Sequence, residues 1–259
     1  MKETFYRFDT PCRICLLADI HDRPFSEITA SIDKRSPDII AVAGDFIYAH
    51  APHDDTPVMS KAKNALDMLY ACAMRAPTFV SLGNHEWMLS ETDKSMIRKT
   101  GVTLLDNEWT EHSGMFIAGL TSSGVSAYAA FRKCKSEVYP EWNHFNSPQR
   151  SEPLVDWLDG FEKQPGFKLL MSHHPEYYPK YLKNRAVSLV LSGHAHGGQI
   201  RLFGRGLYAP GQGILPRYTS GRYGKMIVSR GLSNTAEPIP RLFNRREIVY
   251  ILPKQKADK

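Results

Sequence analysis

Cysteine is scarce in this chain, and its placement excludes several classes at once. Cys12 and Cys15 form CRIC, but Cys72 and Cys134 stand alone, so no second pair completes a zinc ribbon. If RICLLAD is a strand, residues three apart face opposite sides, and the CRIC pair cannot chelate one ion. Reduced, buried or partly buried thiols are expected, which fits a reducing compartment. Long apolar runs are also missing: none approaches the roughly 20 residues that cross a bilayer. The N-terminal stretch MKETFYRFDTPCRICLLADI has no secretory hydrophobic region, because its apolar part is short, interrupted by Arg13 and ended by Asp19. These absences point to a cytoplasmic protein without a transmembrane segment. There is no internal repeat, no low-complexity linker, no dense Lys/Arg run and no helix-turn-helix or other nucleic-acid module.

What is present suits one globular domain over residues 1–259. Hydrophobic residues make up 42% and charged residues 23%, enough to bury a substantial core. The net charge is +6, with much of the excess late in the chain, which favours anionic partners in general without singling out nucleic acid. Short apolar runs alternate with amphipathic stretches. RICLLADI, IIAVAGD and TFVSLGN read as strands. Between them, PFSEITASIDKRSPD carries Phe25, Ile28 and Ile32 near helical spacing, and SKAKNALDMLYACAMRA places Ala62, Ala65, Leu66, Leu69 and Ala73 on one helical face. ETDKSMIRKTG reads as a helix closed by Gly101, and EWTEH and MFIAGL as strands joined through Ser113–Gly114.

SEPLVDWLDGFEKQ reads as a helix capped by Ser151. FKLLMS, VSLVLSG, QIRLF, KMIVSRG and EIVYILP are further strands. Residues 122–148 are aromatic and polar without a period and read as an insertion over the core; Tyr128, Phe131, Tyr139, Trp142 and Phe145 there are candidates for an apolar groove. Residues 253–259 form a polar tail expected to fray. The second half is richer in strands than simple βαβ alternation predicts, which favours sheet packed on sheet.

Five of the apolar runs end directly in metal-type ligands: LLADIHD, AVAGDF, SLGNHEW, LLMSHHPE and LVLSGHAHGG. If the runs are strands, their carboxyl ends line one edge, where sites form in open α/β sheets. The residues are Asp19, His21, Asp45, Asn84, His85, His173, His194 and His196. They offer oxygen and imidazole nitrogen but no thiolate, a set that favours Mn²⁺, with Fe or Zn²⁺ next, over Ca²⁺. Taken alone, each motif has a plain structural explanation. Asp45 can end a strand in a turn, and Gly-Asn-His can be a left-handed turn. Eight candidates exceed one site and suit two ions sharing a carboxylate.

The order D-x-H, G-D, G-N-H-E, a histidine in SHHP and G-H-x-H resembles the calcineurin-like metallophosphoesterases. GHAHGGQIRL and the later SRGL…PIPRLFNRREI look closest to the bacterial branch named after a Bacillus phosphodiesterase and to related lipid-precursor pyrophosphatases. The resemblance implies an α/β (α+β) fold, a four-layer αββα sandwich of two mixed sheets flanked by helices. It also implies two divalent metal ions. Asp19, His21 and His196 would hold one, Asn84, His173 and His194 the other, and Asp45 would bridge them. His85 would face the scissile phosphate as the catalytic residue, and a metal-bound hydroxide would attack phosphorus in line. His174 remains open as a supporting or substrate-facing group.

One departure stands out. Many members carry a second acid three positions after the bridging Asp, and Tyr48 stands there; Glu86, Asp22, Asp54 and Asp55 are the candidates to orient His85 instead. IYAHAPHDD offers further ligand types in what reads as a solvated loop. Arg201, Arg230 and Arg241 are candidate phosphate clamps, since guanidinium meets phosphate in a two-point fork.

The function so implied is a binuclear metal-dependent phosphoesterase acting on a phosphodiester or pyrophosphate bond. Its partner would be an anionic phosphoester, a small nucleotide or a nucleotide-linked lipid precursor, the latter with peripheral membrane contact. The alternatives are a nuclease on DNA or RNA, disfavoured by the missing nucleic-acid module, and a non-catalytic binding protein on the same fold.

Overall fold

Ile14 to Leu17, Ile39 to Ala43, Thr78 to Ser81 and Leu189 to Ser192 are buried at every position. Strands covered on both faces lose the usual polar alternation and read as short continuous apolar runs. The computed structural model describes residues 1–48, 56–87, 89–122, 152–233 and 239–254. Along the chain the elements are β1 (Lys2–Phe8), β2 (Ile14–Leu17), α1 (Ser26–Arg35), β3 (Ile39–Ala43), α2 (Val58–Lys61), α3 (Lys63–Ala73), β4 (Thr78–Ser81), α4 (Glu91–Arg98), β5 (Thr103–Leu105), β6 (Glu108–His112) and β7 (Met115–Leu120). After them come α5 (Leu158–Glu162), β8 (Phe167–Ser172), a π-turn at Tyr178–Leu182, β9 (Leu189–Ser192) and a tight turn at His196–Gly198. Two small hairpins, β10 (Arg201–Leu202) with β11 (Arg205–Gly206) and β12 (Tyr208–Ala209) with β13 (Gly213–Ile214), lead to β14 (Gly221–Tyr223), β15 (Met226–Val228) and β16 (Glu247–Pro253).

Two six-stranded sheets form, in the orders β1-β16-β2-β3-β4-β5 and β14-β15-β9-β8-β7-β6. Both are mixed: β2, β3, β4 and β5 run parallel with β16 antiparallel to β2, and β7, β8, β9 and β15 run parallel with β6 and β14 antiparallel at the ends. The period of two along each strand sorts side chains into three cores. Ile14, Leu16, Ala41 and Phe79 of the first sheet meet Ile117, Leu169, Met171 and Leu191 of the second between the sheets. Cys15, Leu17, Val42 and Val80 face outward onto α1, α3 and α4. Leu170, Val190 and Met226 face the other way onto Phe161 of α5 and Tyr178 and Leu182 of the π-turn. The four layers expected from the resemblance are therefore the observed architecture.

Local details differ from the sequence reading where packing overrides pattern. The single helix expected over residues 60–76 is broken at Ala62 (φ −97°, ψ 60°), and Ala65, Met68, Leu69 and Cys72 form the buried stripe of α3 in place of one containing Leu66 and Ala73. The helix expected from Ser151 starts only at Leu158, with Trp157 before it, while Ser151 itself lies outside the described residues. β1, which carries no clear apolar pattern, pairs in parallel with β16 over its whole length. Cys12 packs between the sheets and Cys15 against the helices, so the pair does face opposite sides. Cys12, Cys15 and Cys72 are free thiols, and burial pushes Cys12 up to about 11 and Cys72 up to about 12. Cys134, most of the 122–148 segment, Ala49 to Asp55 and the last five residues lie outside the described residues.

Candidate metal centre

Parallel strands in both sheets end at the same edge, and each ending carries the ligand-type side chains. Asp19 and His21 follow β2, Asp45 follows β3, Asn84 and His85 follow β4, His173 follows β8, and His194 and His196 follow β9. All eight are buried. Their backbones are unusual: Asp19, His21, Asp45, His194 and His196 have φ between 44° and 66°. Left-handed conformations in non-glycine residues cost energy and cluster at functional sites. Here they turn the chain sharply off each strand, so that the side chains converge. Gly83 and Gly193 give the room: a Cβ on Gly83 would meet the Asp45 backbone N at 2.6 Å, and one on Gly193 would meet Asp19 Oδ2 at 2.8 Å.

Ligand atoms of Asp19, His21 and His196 lie within 4.8 Å of one another, as do those of Asp45, His173 and His194. A third group, His21, Asp45 and His85, joins the two, with Asp45 Oδ2 at 3.9 Å from His21 Nε2, 3.8 Å from His85 Nε2 and 3.0 Å from His173 Nε2. The approach to His173, though close, lacks the direction of a hydrogen bond.

The supporting bonds aim the remaining donors inward. His173 Nδ1 lies 2.7 Å from the Ala43 carbonyl and His21 Nδ1 3.1 Å from that of Ile47, which fixes each Nδ1 as the protonated nitrogen and turns Nε2 to the centre. Asp45 Oδ1 accepts the His85 N–H at 2.9 Å, leaving Oδ2 for the interior. Asp19 accepts the His194 N–H at 3.0 Å. Asp45 Oδ2, Asn84 Oδ1, His173 Nε2 and His194 Nε2 are buried without any hydrogen-bond partner. Buried polar atoms are almost always paired, so four orphans at one point mark a place built for a cation. The donor set of nitrogen and oxygen fits a first-row divalent ion.

Electrostatics agree with that charge demand. Burial alone would raise the Asp45 carboxyl, but His173, His85 and His21 outweigh it and hold it well below the usual range. Burial pulls His173 down, yet Asp45 and Asp19 prevail and lift it to about 10. Burial and neighbouring imidazoles hold His21 and His194 well below normal, and burial lowers His85 and His196. Glu86 sits beneath: its carboxyl accepts the backbone N–H groups of Asp45 (2.8 Å), Gly83 (2.7 Å) and Ile47 (3.1 Å). Burial and the Asp45 charge push it up to about 8, against the pull of those amides.

Of the candidates to orient His85, Glu86 is therefore engaged with backbone, Asp22 accepts the Ala65 N–H (2.7 Å), and Asp54 and Asp55 lie outside the described residues. The Tyr48 ring stands 5.5 Å from His85. His174 is buried beside the centre, stacked on His194 at 3.9 Å, with Nδ1 3.0 Å from Glu176 Oε1.

The proposed phosphate clamps are occupied otherwise. Arg241 donates to the carbonyls of Ser233 (2.9 Å), Arg230 (2.9 Å) and Asn244 (2.6 Å), and Arg201 to those of Gly197 (2.7 Å) and Gly204. Arg230 Nε lies 3.7 Å from Glu247 Oε1. Backbone carbonyls thus take the Arg201 and Arg241 guanidinium groups, which brace neighbouring loops, while Arg230 Nε is buried without a hydrogen-bond partner among the described residues. Two supporting residues escaped the sequence reading. Glu176 gave a usable signal, two places after His174 in HHPE. Asn244, whose Nδ2 donates to His196 O (2.7 Å) and Gln199 O (3.0 Å), lies 48 residues from the turn it holds and left none.

Comparison with known proteins agrees. An uncharacterized metallophosphoesterase of Helicobacter pylori is 24% identical over 97% of this chain and 62% of its own length. The phosphodiesterase YaeI of Escherichia coli is 26% identical over 74% of this chain and 63% of its own length. A transmembrane protein with a metallophosphoesterase domain from Danio rerio is 23% identical over 94% of this chain and 53% of its own length. This chain thus spans less than two thirds of each. The calcineurin-like phosphoesterase family model matches residues 12–198, which include every ligand-type residue of the centre, and the chain belongs to that family.

Proposed function

We propose that the protein is a binuclear metal-dependent phosphoesterase that hydrolyses a phosphodiester or pyrophosphate bond. The observation that carries this reading is the convergence of four orphaned buried donors, Asp45 Oδ2, Asn84 Oδ1, His173 Nε2 and His194 Nε2, at the edge where five strands end. Asp19, His21 and His196 would hold one divalent ion, Asn84, His173 and His194 the other, and Asp45 would be shared between them. Such a pair polarises a phosphoryl group and activates water near neutral pH. The chain's own part is to place and protonate. The Asp45 carboxylate is split between the His85 amide and the centre, so its inward oxygen keeps one orientation. The His85 ring, 4.5 Å from that of His21, stands at the mouth of the centre and delivers a proton to the leaving oxygen or stabilises its charge.

Mn²⁺ is the expected metal, with Fe or Zn²⁺ compatible with the same donors. The substrate class is a small nucleotide or a nucleotide-linked lipid precursor. The three free, buried or half-buried thiols support a reducing, cytoplasmic setting. Among the described residues no helix is long and apolar enough to cross a membrane.

The test strips the protein with a chelator, restores Mn²⁺, and follows a chromogenic phosphodiester beside its monoester. Diester turnover only with metal is expected. Bound metal without turnover on any diester or pyrophosphate would overturn the reading in favour of a binding role.

A further inference from the structure

Six large apolar side chains stand in water next to the metal-site turn. Phe203 is 104% exposed, Ile214 82%, Phe243 81% and Leu215 70%, with Leu202 and Leu242 also exposed. They sit on neighbouring segments joined through backbone hydrogen bonds. Arg201 N–H donates to Leu242 O (3.0 Å), Leu207 N–H to Ile200 O (2.9 Å) and Leu215 N–H to Leu207 O (2.9 Å). The order across the face is thus 242, 200–201, 207, 215, with Phe203 at the β10–β11 hairpin tip.

Solubility favours polar residues at such tips, and the backbone sharpens the point. Phe203, Leu215 and Phe243 have φ of 49°, 53° and 54°, a region that bulky residues avoid and glycine or asparagine fills at little cost. Exposed apolar groups held in strained turns stabilise nothing in the isolated chain. A contiguous exposed apolar patch marks an interaction surface.

The charge says which kind. Residues 200–218 and 240–246, which carry the patch, contain six arginines and no aspartate or glutamate. Arg205, Arg217 and Arg245 are exposed on the same segments. A two-fold contact between copies would bring this basic face against itself. An anionic lipid surface accepts both parts: arginines meet headgroups while the apolar tips enter the acyl boundary.

We infer that this face docks on anionic phospholipid bilayers. It is continuous with the metal centre, because Asn244, next to Phe243, holds the carbonyls of His196 and Gln199. Docking brings the turn carrying His194 and His196 to the membrane surface, so the substrate is a membrane-borne phosphoester. That last step rests on the phosphoesterase reading; the docking does not.

The experiment sediments the full chain with vesicles of phosphatidylcholine, alone or with phosphatidylglycerol. Binding to the anionic vesicles that weakens with salt is expected. The double variant Phe203→Gly, Phe243→Gly suits the left-handed turns; it should bind about tenfold or more weakly and keep its turnover of a soluble diester. Neutralising Arg205, Arg217 and Arg245 to Gln should cost about fivefold each. No wild-type binding, or equal binding by the glycine variant, overturns the inference. So does a wild-type dimer in sedimentation that the glycine variant dissolves, since the face would then join two copies. Vesicle binding is scored without substrate, so its failure leaves the phosphoesterase reading intact, and loss of turnover with binding kept leaves the docking intact.

Discussion

Glu86→Gln separates the metal-free protein from the metal-loaded one. The wild-type carboxyl faces three buried amide hydrogens, and without metal it titrates at about 8, held up by burial and the Asp45 charge. At pH 7 it is therefore mostly the neutral acid, with one oxygen spoiled as an acceptor by its own proton. Glutamine has the same defect, an amide group in place of the hydroxyl. Below about pH 4.5, where folded and unfolded chains both keep the proton, metal-free stability should then change by less than about 1 kcal/mol; at pH 7 only the folded wild type still keeps it, so glutamine should raise metal-free stability by roughly 3 kcal/mol. Two divalent ions beside Asp45 reverse the balance, since positive charge favours the carboxylate. The wild type then satisfies all three amides, while glutamine leaves one facing an N–H₂ group. Leaving one buried donor unmet costs about 1–3 kcal/mol, so the metal-loaded variant should be less stable than the metal-loaded wild type by that amount.

The sign with pH follows the same logic. The folded value of about 8 exceeds the ordinary 4.5, so between those values only the folded state keeps the proton, and the metal-free wild type loses stability as pH rises through that window. Glu86→Gln should flatten that fall. The assay is urea unfolding with and without Mn²⁺ at pH 6, 7 and 9. Equal destabilisation of the metal-free and metal-loaded protein at pH 7, or none in either, refutes the reasoning.

His85→Ala should keep both metals by elemental analysis and lose about 10²–10⁴-fold in turnover; a drop in metal content would make His85 a ligand, which its 3.8 Å approach to Asp45 Oδ2 also permits. Asp45→Asn should reduce occupancy of both ions, and an unchanged metal count would remove its shared role. Metal binding near pH 7 should release protons from His173 and Glu86, whose metal-free values of about 10 and about 8 keep them protonated there, so affinity rises with pH. Calorimetry in two buffers of different ionisation enthalpy counts those protons, and a buffer-independent heat would contradict the assignment.

The parts legible in sequence were those set by local chemistry. Strands buried on both faces announce themselves as apolar runs, and five of the runs here end in ligands that no plain turn requires. The rest depended on distant partners. β1 is a strand because β16, more than 200 residues away, offers it an edge. The helix at residues 60–76 has an apolar stripe, but its continuity fails at Ala62, and the separate turn before it, α2, has its Met59 N–H held by the Asp93 carboxylate at 2.8 Å, a bond that no local pattern encodes. Arg201 and Arg241 look like phosphate ligands by type; only the fold shows the carbonyls that occupy them. Glu86 reads in sequence as an acid beside His85, yet its carboxyl accepts the backbone N–H groups of Asp45, Gly83 and Ile47.

Neither sheet owns the centre. The first contributes Asp19, His21, Asp45 and Asn84, the second His173, His194 and His196, and between them lie apolar side chains such as Ile14, Leu16, Leu169 and Leu191. Bound ions would therefore act as rivets across a seam otherwise closed by grease, and the distance between the two half-sites is set by how thick that grease is. Trimming a leucine in the middle of the sandwich, far from any phosphate, changes the gauge at which the rivets must fit. Any constraint on the metal centre then reaches deep into the core, and tolerance to conservative apolar swaps should be narrower here than the same core would show in a protein whose site rests on a single sheet.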